Sequence, residues 1–346
     1  MESELKEMLA SLDRTGYCQW MNREGVPISE GFSVEDVREL KLAPWPRIGG
    51  KGAFVQLYGM EGQTGMYVAE IAPGGALNPE RHLYEEMICI LAGHGATEIW
   101  QDGGPKRLFE WGPFSLFAPP LNSWHRLVNG GREPVRFMAV TTAPIALDFY
   151  RNPEFIFNCP FTFDERFHGE DSYFAATEKF YAVGMQSIWE TNFVPDAKDV
   201  RVWDDLYVKG SEVGMVQFES SKNALIGHVA DWPTGRYHKA HYHGAGAVIV
   251  ILIGGIYAVV AQRDRHPALR DRPRRCSGRT PLARGQRLEP AERVVSPALQ
   301  RRQRSRPAAR FEIRQQAASH RLTSSRQEEH RRRLYLGKER RHHDRI

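Results

Sequence analysis

Short apolar runs separated by glycine, proline and asparagine dominate the first 150 residues of the chain. The runs are rich in β-branched and aromatic residues and recur at intervals of about ten residues. The sequence shows six of them: GAFVQLYGM, GMYVAEIAP, EEMICILAG, ATEIWQD, SLFAPP and VRFMAVTTA. Helical periodicity is clear only near the N-terminus, in ESELKEMLASL. The pattern therefore predicts an all-β fold, a sandwich or barrel, preceded by a short helix.

The chain also repeats itself. When the sequence is shifted by 161 residues, His82 falls on His243 and Gly93 falls on Gly254, and the two halves align without a gap over some forty residues. A period of this length is too long for a solenoid repeat. It predicts two copies of one domain.

The formal net charge of +5 combines an acidic body with a basic tail. Residues 1–262 contain 22 Lys and Arg against 33 Asp and Glu, a net of −11. Residues 263–346 contain 25 against 9, a net of +16, and 24 of those 25 basic residues are Arg. An excess of Arg over Lys is unusual for a solvated basic tail, because Lys serves that purpose as well.

Composition and repeat together predict five segments. We expect a partly helical N-terminal extension, a first barrel, an inter-barrel linker, a partial second barrel and a disordered, Arg-rich tail, at residues 1–40, 41–150, 151–204, 205–262 and 263–346.

The first copy contains a spaced set of polar residues around its third apolar run. Five residues separate Gly74 from Glu80, one separates Glu80 from His82, three separate His82 from Glu86, and six separate Glu86 from Gly93. Residues 80, 82 and 86 have the same parity, so on an extended segment their side chains can face one side. This spacing makes them candidates for a shared site, whereas Glu85 has the opposite parity and is expected to point outward into solvent.

A fourth candidate follows the hairpin expected at Asp102-Gly103-Gly104, in the segment PLNSWHRLVN that contains His125. Two imidazoles and one carboxylate, with positions left open, suit Fe(II), Mn(II), Ni(II) or Zn(II). Glu80 is either a fourth ligand, which favours Mn or Fe, or a hydrogen-bond partner of a ligand, or a general base. The alternative is that these histidines are polar residues satisfied within a barrel.

These residues resemble the two signature motifs of the cupin superfamily, G-x5-H-x-H-x3-4-E-x6-G and P-x-G-x2-H-x3-N. By this resemblance His82, Glu86 and His125 are metal ligands. The chain departs from the motifs at Glu80, which stands in the first histidine position, and at Asn122, which stands in the glycine position. Asparagine also tolerates turn geometry. The resemblance implies tandem jelly-roll (double-stranded β-helix) barrels and a divalent transition metal, Fe(II) or Mn(II) ahead of Ni or Zn.

The second copy retains only part of this motif. His241 and His243 occupy the two histidine positions, but Ala247 stands in the glutamate position. No second motif follows residue 262, so we expect weak metal binding here and an incomplete barrel.

The tail after residue 262 prompts a further hypothesis. Read one base later, codons for Gln262–Asp271 can encode REIGTRPYE, and codons for Pro290–Gln300 can encode PNGWFHQHFN, which is similar to PLNSWHRLVN. We hypothesise that a frameshift replaced the end of the second barrel. A nucleic-acid-binding arm is the alternative, but only Phe311 and Tyr335 supply aromatic side chains, so we expect no specific nucleic-acid partner.

The tandem arrangement is similar to bicupin dioxygenases of the gentisate type and to bacterial two-cupin proteins labelled ethanolamine ammonia-lyase activating. The resemblance implies a metal-dependent, dioxygenase-like oxidoreductase that acts on a small organic substrate. In that case Glu80 is a candidate catalytic base, and Arg126 or Arg136 could bind a substrate carboxylate. The alternative is a non-catalytic protein that binds a small molecule or activates another enzyme.

The N-terminus carries charges where a signal peptide needs an apolar core. The longest apolar run, AVIVILIGGIYAVVA, is broken by Gly254 and Gly255 and falls short of the roughly 20 residues of a membrane span. We therefore expect a cytoplasmic protein without a membrane partner. The resemblance also implies a homo-oligomer in the intact family form.

Overall fold

The structure is a computed structural model, which describes residues 15–57, 59–60, 62–177, 179–183, 186–202, 214–232, 247–252 and 308–315. The predicted N-terminal helix, ESELKEMLASL, lies outside the described residues, as do His241 and His243. None of the helices in the described ranges is long and apolar enough to cross a membrane.

Strands predominate, as the sequence predicts. Three α-helices, one 3-10 helix and seventeen strands make up the described residues: α1 (Gly16–Glu24), β1 (Ile28–Gly31), the 3-10 helix (Val37–Glu39), β2 (Ala43–Trp45), β3 (Gly50–Leu57), β4 (Gly65–Ile71), β5 (Glu86–Ala92), β6 (Gly95–Trp100), β7 (Arg107–Trp111), β8 (Leu116–Phe117), β9 (Trp124–Val128), β10 (Val135–Thr141), α2 (Ala143–Tyr150), α3 (Pro153–Phe157), β11 (Phe180–Val183), β12 (Gln186–Glu190), β13 (Phe193–Val194), β14 (Gly214–Glu219), β15 (Leu225–Trp232), β16 (Ala247–Ile251) and β17 (Ala308–Gln315).

Two sheets form the first copy. The larger has the strand order β1-β3-β4-β10-β5-β8-β13, with β2 paired to β3, and the smaller has the order β7-β6-β9. All six apolar runs quoted above contain strands of these sheets. The turn between β6 and β7 lies where Asp102-Gly103-Gly104 predicts it, and Gly103 has a φ of 75°.

The main hydrophobic core lies between these two sheets. Large side chains of the larger sheet, among them Phe54, Phe117 and Phe137, pack with Trp111 and Leu127 of the smaller one. The first three are at most 1% exposed. Burial of apolar surface stabilises a fold by about 25 cal/mol per Å² removed from water. Burial of these side chains therefore holds the two sheets face to face.

The sheet of the second copy repeats the topology of the larger sheet of the first copy. Its order is β11-β12-β14-β15-β17-β16. Strand β12 runs parallel to β14 as β1 runs parallel to β3, and β17 lies between β15 and β16 as β10 lies between β4 and β5. The registers also agree, since Val140 pairs with Met87 in the first copy and Ile313 pairs with Val248, 161 residues after Met87, in the second.

Strand β17 corrects the expectation that the tail is disordered throughout. Its sequence, AARFEIRQ, alternates apolar and polar residues from Ala309 to Arg314, which is the pattern of a strand. The high arginine content of the tail obscures this alternation, because Arg310 and Arg314 lie among many other arginines. The other tail residues lie outside the described ranges.

A second hydrophobic cluster joins the two copies back to back. It combines residues from the outer face of the first sheet with residues from one face of the second: Val68, Met87 and Met138 with Val216, Phe218 and Val229. In β16, Val248 is 2% exposed and belongs to this cluster, whereas Ile249 and Ile251 are 43% and 38% exposed. The apolar run of β16 therefore buries one face and exposes the other.

Residues 151–204, expected as a linker, contribute strands to the larger sheet of the first copy and to the sheet of the second copy. Strand β13 pairs with β8 in the first sheet, and β12 pairs with β14 in the second. Ala197 is fully buried between the copies.

Candidate metal centre

Two neighbouring segments bring the candidate ligands together. His82 lies in the segment before β5, Glu86 is the first residue of β5, and His125 is the second residue of β9. The backbone of Glu80 joins the segments, since its N–H donates to the His125 carbonyl at 3.0 Å and its carbonyl accepts from the His125 N–H at 2.9 Å. This isolated bridge places residues 80, 82 and 125 on adjoining backbone.

His82, Glu86 and His125 offer ligand atoms that all lie within 4.8 Å of one another. Oε2 of Glu86 is 3.4 Å from Nε2 of His82 and 3.6 Å from Nε2 of His125. The three residues are 4%, 1% and 2% exposed. The structure therefore brings together the three residues that match the cupin motifs.

In both imidazoles the lone pair of Nε2 is available at the position where the three candidate ligand atoms converge. Nδ1 of His82 lies 2.9 Å from the carbonyl oxygen of Tyr84, and Nδ1 of His125 lies 3.0 Å from that of Ser123. A carbonyl oxygen can only accept, so Nδ1 carries the hydrogen in each ring. In the neutral ring Nε2 is then the unprotonated nitrogen, which is the tautomer that binds a metal.

Within the described residues, Nε2 of His82 and Oε2 of Glu86 are buried without a hydrogen-bond partner. A buried polar atom without a partner costs about 1–3 kcal/mol, and more if it is charged. Two lone pairs and a carboxylate oxygen aimed at one point form an environment that a divalent cation satisfies. The donor set of two nitrogens and one oxygen thus fits a transition metal.

The pKa values of Glu86 and His125 reflect how closely these ionisable groups lie to one another. Burial alone would raise the pKa of Glu86, but the two imidazoles outweigh burial and hold it well below its usual range. Burial alone would lower the pKa of His125, but Glu86 and Glu80 raise it above its ordinary value. Without a metal, the acid stays ionised and His125 tends to gain a proton that compensates it.

Two buried tyrosines support the ligands. The Tyr67 hydroxyl donates to Oε1 of Glu86 at 2.5 Å, which leaves Oε2 for the shared point. The ring of Tyr84 stacks on His82 at 3.6 Å between centroids and an interplanar angle of 5°. Burial is the main reason that the pKa of each phenol lies above its usual value, so both remain protonated.

Glu80 does not join the three ligands. Its carboxylate forms an ion pair with Arg47, a residue that the sequence analysis did not single out. Arg47 also donates from Nε to Glu24 at 3.1 Å. No motif marks Arg47; its setting in APWPRIGG, an arginine between two apolar strands, was the available signal.

The other candidate residues lie elsewhere. Arg126 pairs with Glu98, and Arg136 pairs with Glu70, so neither arginine reaches the three ligands. Either Arg126 or Arg136 could bind a substrate carboxylate only if it pointed inward, and the structure pairs each with a glutamate. The arginine beside Glu80 is Arg47.

Asn122 takes the glycine position of the second motif without losing the turn. Its φ is 59°, in the left-handed region that asparagine tolerates. Its side-chain Nδ2 donates to the carbonyl oxygens of Cys159 at 3.0 Å and Phe161 at 2.7 Å. The two motif glycines, Gly74 and Gly93, have φ values of 65° and 87°. These turns hold β5 and β9 in place.

Glu85 corrects a further expectation. Its parity suggested an outward, solvated position, but it is 8% exposed and contacts the second copy. Its carboxylate accepts from the Leu225 N–H at 2.9 Å and lies 3.3 Å from Arg166, which also donates to Asn223 at 2.9 Å. The outer side of β5 is buried because the second copy packs against it.

No model of a protein family matches the sequence, and no curated protein matches it either. Solved structures resemble about a third of the chain. Oxalate decarboxylase from Lactobacillus farciminis, in a formate complex, is 22% identical over 31% of this chain and 32% of its own, with a TM-score of 0.27. The chain thus spans about a third of that enzyme.

Two further structures show a similar extent of likeness. The cupin domain of Schizosaccharomyces pombe Cnp3 is 18% identical over 31% of this chain and 66% of its own, with a TM-score of 0.26. A cupin-2 domain protein from Rhodospirillum rubrum is 20% identical over 34% of this chain and 76% of its own, with a TM-score of 0.27.

Proposed function

We propose that the first copy is a metal-dependent centre for oxidoreductase chemistry, of the dioxygenase type, on a small organic substrate. The observation that carries this proposal is the convergence of three buried ligand atoms, two of them imidazole nitrogens fixed in the metal-binding tautomer. Such a set fills half of an octahedral sphere and leaves positions open for other ligands.

His82, Glu86 and His125 would hold the metal, Fe(II) or Mn(II) ahead of Ni or Zn. When bound, any of these ions would supply Lewis-acid polarisation of a substrate oxygen, and Fe or Mn would also supply one-electron redox chemistry, which Zn does not. The protein's own contribution is orientation. The Tyr84 and Ser123 carbonyls fix the two rings, and the Tyr67 hydroxyl fixes the carboxylate. Outer hydrogen bonds of this kind are worth about 10–100-fold in metal affinity or activity.

A non-catalytic binding module is the second candidate, and one observation favours it. Glu80, the residue expected to serve as a general base, is held in an ion pair with Arg47. In this ion pair the Glu80 carboxylate is directed at the Arg47 guanidinium rather than at a substrate. Under this candidate the protein would bind metal and a small molecule without turnover.

Metal analysis of the purified full chain tests the proposal. We expect about one divalent transition metal per chain, and strong loss of metal in His82→Ala, Glu86→Ala and His125→Ala, because two remaining ligands do not fill a stable coordination sphere. His94→Ala is the matched control, since His94 is exposed and lies outside the ligand group. Full metal content in the His82→Ala, His125→Ala double variant would mean that the metal is bound elsewhere.

Oxygen uptake distinguishes the two candidates. The metal-loaded protein should consume oxygen with at least one substrate among catechols, gentisate-like acids and diketones, and His125→Ala should abolish this uptake. A protein that retains one metal per chain but consumes no oxygen with the whole panel would instead support the binding module.

A further inference from the structure

We propose that Arg47 is a binding subsite for a carboxylate group of the substrate and that Glu80 occupies this subsite when no substrate is present. The inference rests on the proposed function, because it concerns a substrate bound at the same centre. It names the substrate class: small organic acids that present a carboxylate to Arg47 and an oxygen to the metal ligands.

Three aromatic rings fix the guanidinium of Arg47. Its Cζ lies 5.4 Å from the ring centroid of Trp20, 5.0 Å from that of Trp45 and 5.0 Å from that of Phe157. Rings attract a cation through their faces but accept none of its strong hydrogen bonds. The cage therefore orients the guanidinium while leaving its N–H groups for carboxylates.

The two carboxylates on Arg47 are held differently. Glu24 accepts from Arg47 Nε and from Trp45 Nε1, so it is anchored by two donors. Glu80 accepts from Nη1 of Arg47, and in the described part of the chain its side chain has no other hydrogen-bond partner. Glu24 is thus the fixed partner of Arg47, and Glu80 is the partner that another carboxylate can replace.

The exchangeable position adjoins the metal ligands. Glu80 lies two residues before His82, and its backbone is bonded to that of His125. A carboxylate bound to Arg47 in place of Glu80 would therefore lie within reach of a group held by the ligands.

Charge favours replacement of Glu80 by a substrate carboxylate over binding of that carboxylate in addition to Glu80. The guanidinium already carries two carboxylates, Glu24 and Glu80. An incoming anion gains a bidentate, charge-assisted partner only if Glu80 moves off. The displaced Glu80 would then lie beside the bound substrate without its guanidinium partner.

Binding of acetate, with acetamide as its neutral analogue, tests the subsite. Trp20 and Trp45 contact the Arg47 guanidinium, so their fluorescence reports occupancy without any turnover. Titrations are done at constant ionic strength on the Mn(II)-loaded full chain and on the same chain after chelation. Glu80→Gln removes the internal competitor, and we expect it to tighten acetate binding about tenfold, the value of one charge-assisted hydrogen bond. Acetamide binding should not change.

Two further variants separate the subsite from a general charge effect. Glu70→Gln removes an equal charge from the Arg136 pair and should leave acetate affinity unchanged. Adding Arg47→Gln to Glu80→Gln should abolish the gain. A gain that persists without Arg47, or that acetamide or Glu70→Gln shares, overturns the proposal. Should the Arg47 variant fail to fold, the acetate-to-acetamide comparison in Glu80→Gln still decides it.

The outcomes also separate this inference from the proposed function. If the chain retains no metal but Glu80→Gln tightens acetate binding after chelation, the carboxylate subsite stands and the metal function fails. If metal binds but Glu80→Gln leaves acetate affinity within about twofold of the wild type, less than one hydrogen bond is worth, the metal function stands and the subsite fails.

Discussion

Replacing Glu86 by glutamine should separate metal binding from stability. In the metal-free protein, Oε2 of Glu86 and Nε2 of His82 face each other at 3.4 Å without a hydrogen bond. The glutamine amide has nearly the same shape and can donate to the imidazole nitrogens. We therefore expect Glu86→Gln to lose the metal but to gain stability in its metal-free form.

The size of this gain depends on pH. His125 has a pKa above its ordinary value of 6.5 in the folded state, mainly because Glu86 outweighs the effect of burial. The attraction between its imidazolium and Glu86 therefore stabilises the metal-free wild type below about pH 6.5 and is lost as the pH rises through the folded pKa. At pH 9, Glu86→Gln should be more stable than the wild type by about 1–3 kcal/mol, the cost of an unpaired buried polar atom. At pH 6 the difference should shrink or reverse.

Thermal unfolding of chelator-treated full chain, followed by circular dichroism at pH 6 and pH 9, measures the effect. The gain at pH 9 corresponds to about 2–10 °C in Tm. Glu70→Gln, at a partly exposed ion pair, is the control and should change stability by less than about 1 kcal/mol at either pH. If metal-free Glu86→Gln is less stable than the wild type at pH 9, the unpaired ligand atoms do not govern stability as argued.

Three further predictions concern Tyr67, Arg166 and strand β17. Tyr67→Phe removes the donor to Glu86 and should weaken metal retention about 10–100-fold, measured by competition with a chelator, while the fold stays intact by circular dichroism. Arg166→Met removes the cation beside buried Glu85 and should lower the free energy of unfolding by about 1–3 kcal/mol, whereas unchanged denaturant unfolding would contradict that role. Deleting residues 263–346 removes β17 and should cause aggregation by size-exclusion chromatography; a monodisperse truncated chain would show that β17 contributes nothing.

The strands of the first copy could be predicted because each is a short apolar run bounded by turn residues. The convergence of His82, Glu86 and His125 could be predicted because their spacing matches a known motif, and Asn122 keeps the positive φ of the motif glycine. Strand β7, RLFEW, could not be recognised as an apolar run because Arg107 and Glu110 interrupt its apolar residues.

Features that depend on packing between distant segments could not be predicted. Glu85 was placed outward by parity alone, but the second copy covers that face of the strand. Arg47 has no motif, and its position follows from Trp20 and Phe157, which lie far from it in sequence and come together only in the fold. Parity shows which side a residue faces, whereas the partner on that side is set by tertiary structure.

The insertion of β17 between β15 and β16 has a consequence for assembly. The main-chain groups of β15 and β16 that receive β17 are indifferent to side-chain identity, so pairing depends on an extended segment rather than on a particular sequence. A long stretch of chain separates Ile251 from Ala308, so the same position can be filled by the tail of a neighbouring molecule. The balance between pairing with the chain's own β17 and pairing with that of a neighbouring molecule then depends on protein concentration. Strand-exchanged oligomers should increase as the protein is concentrated.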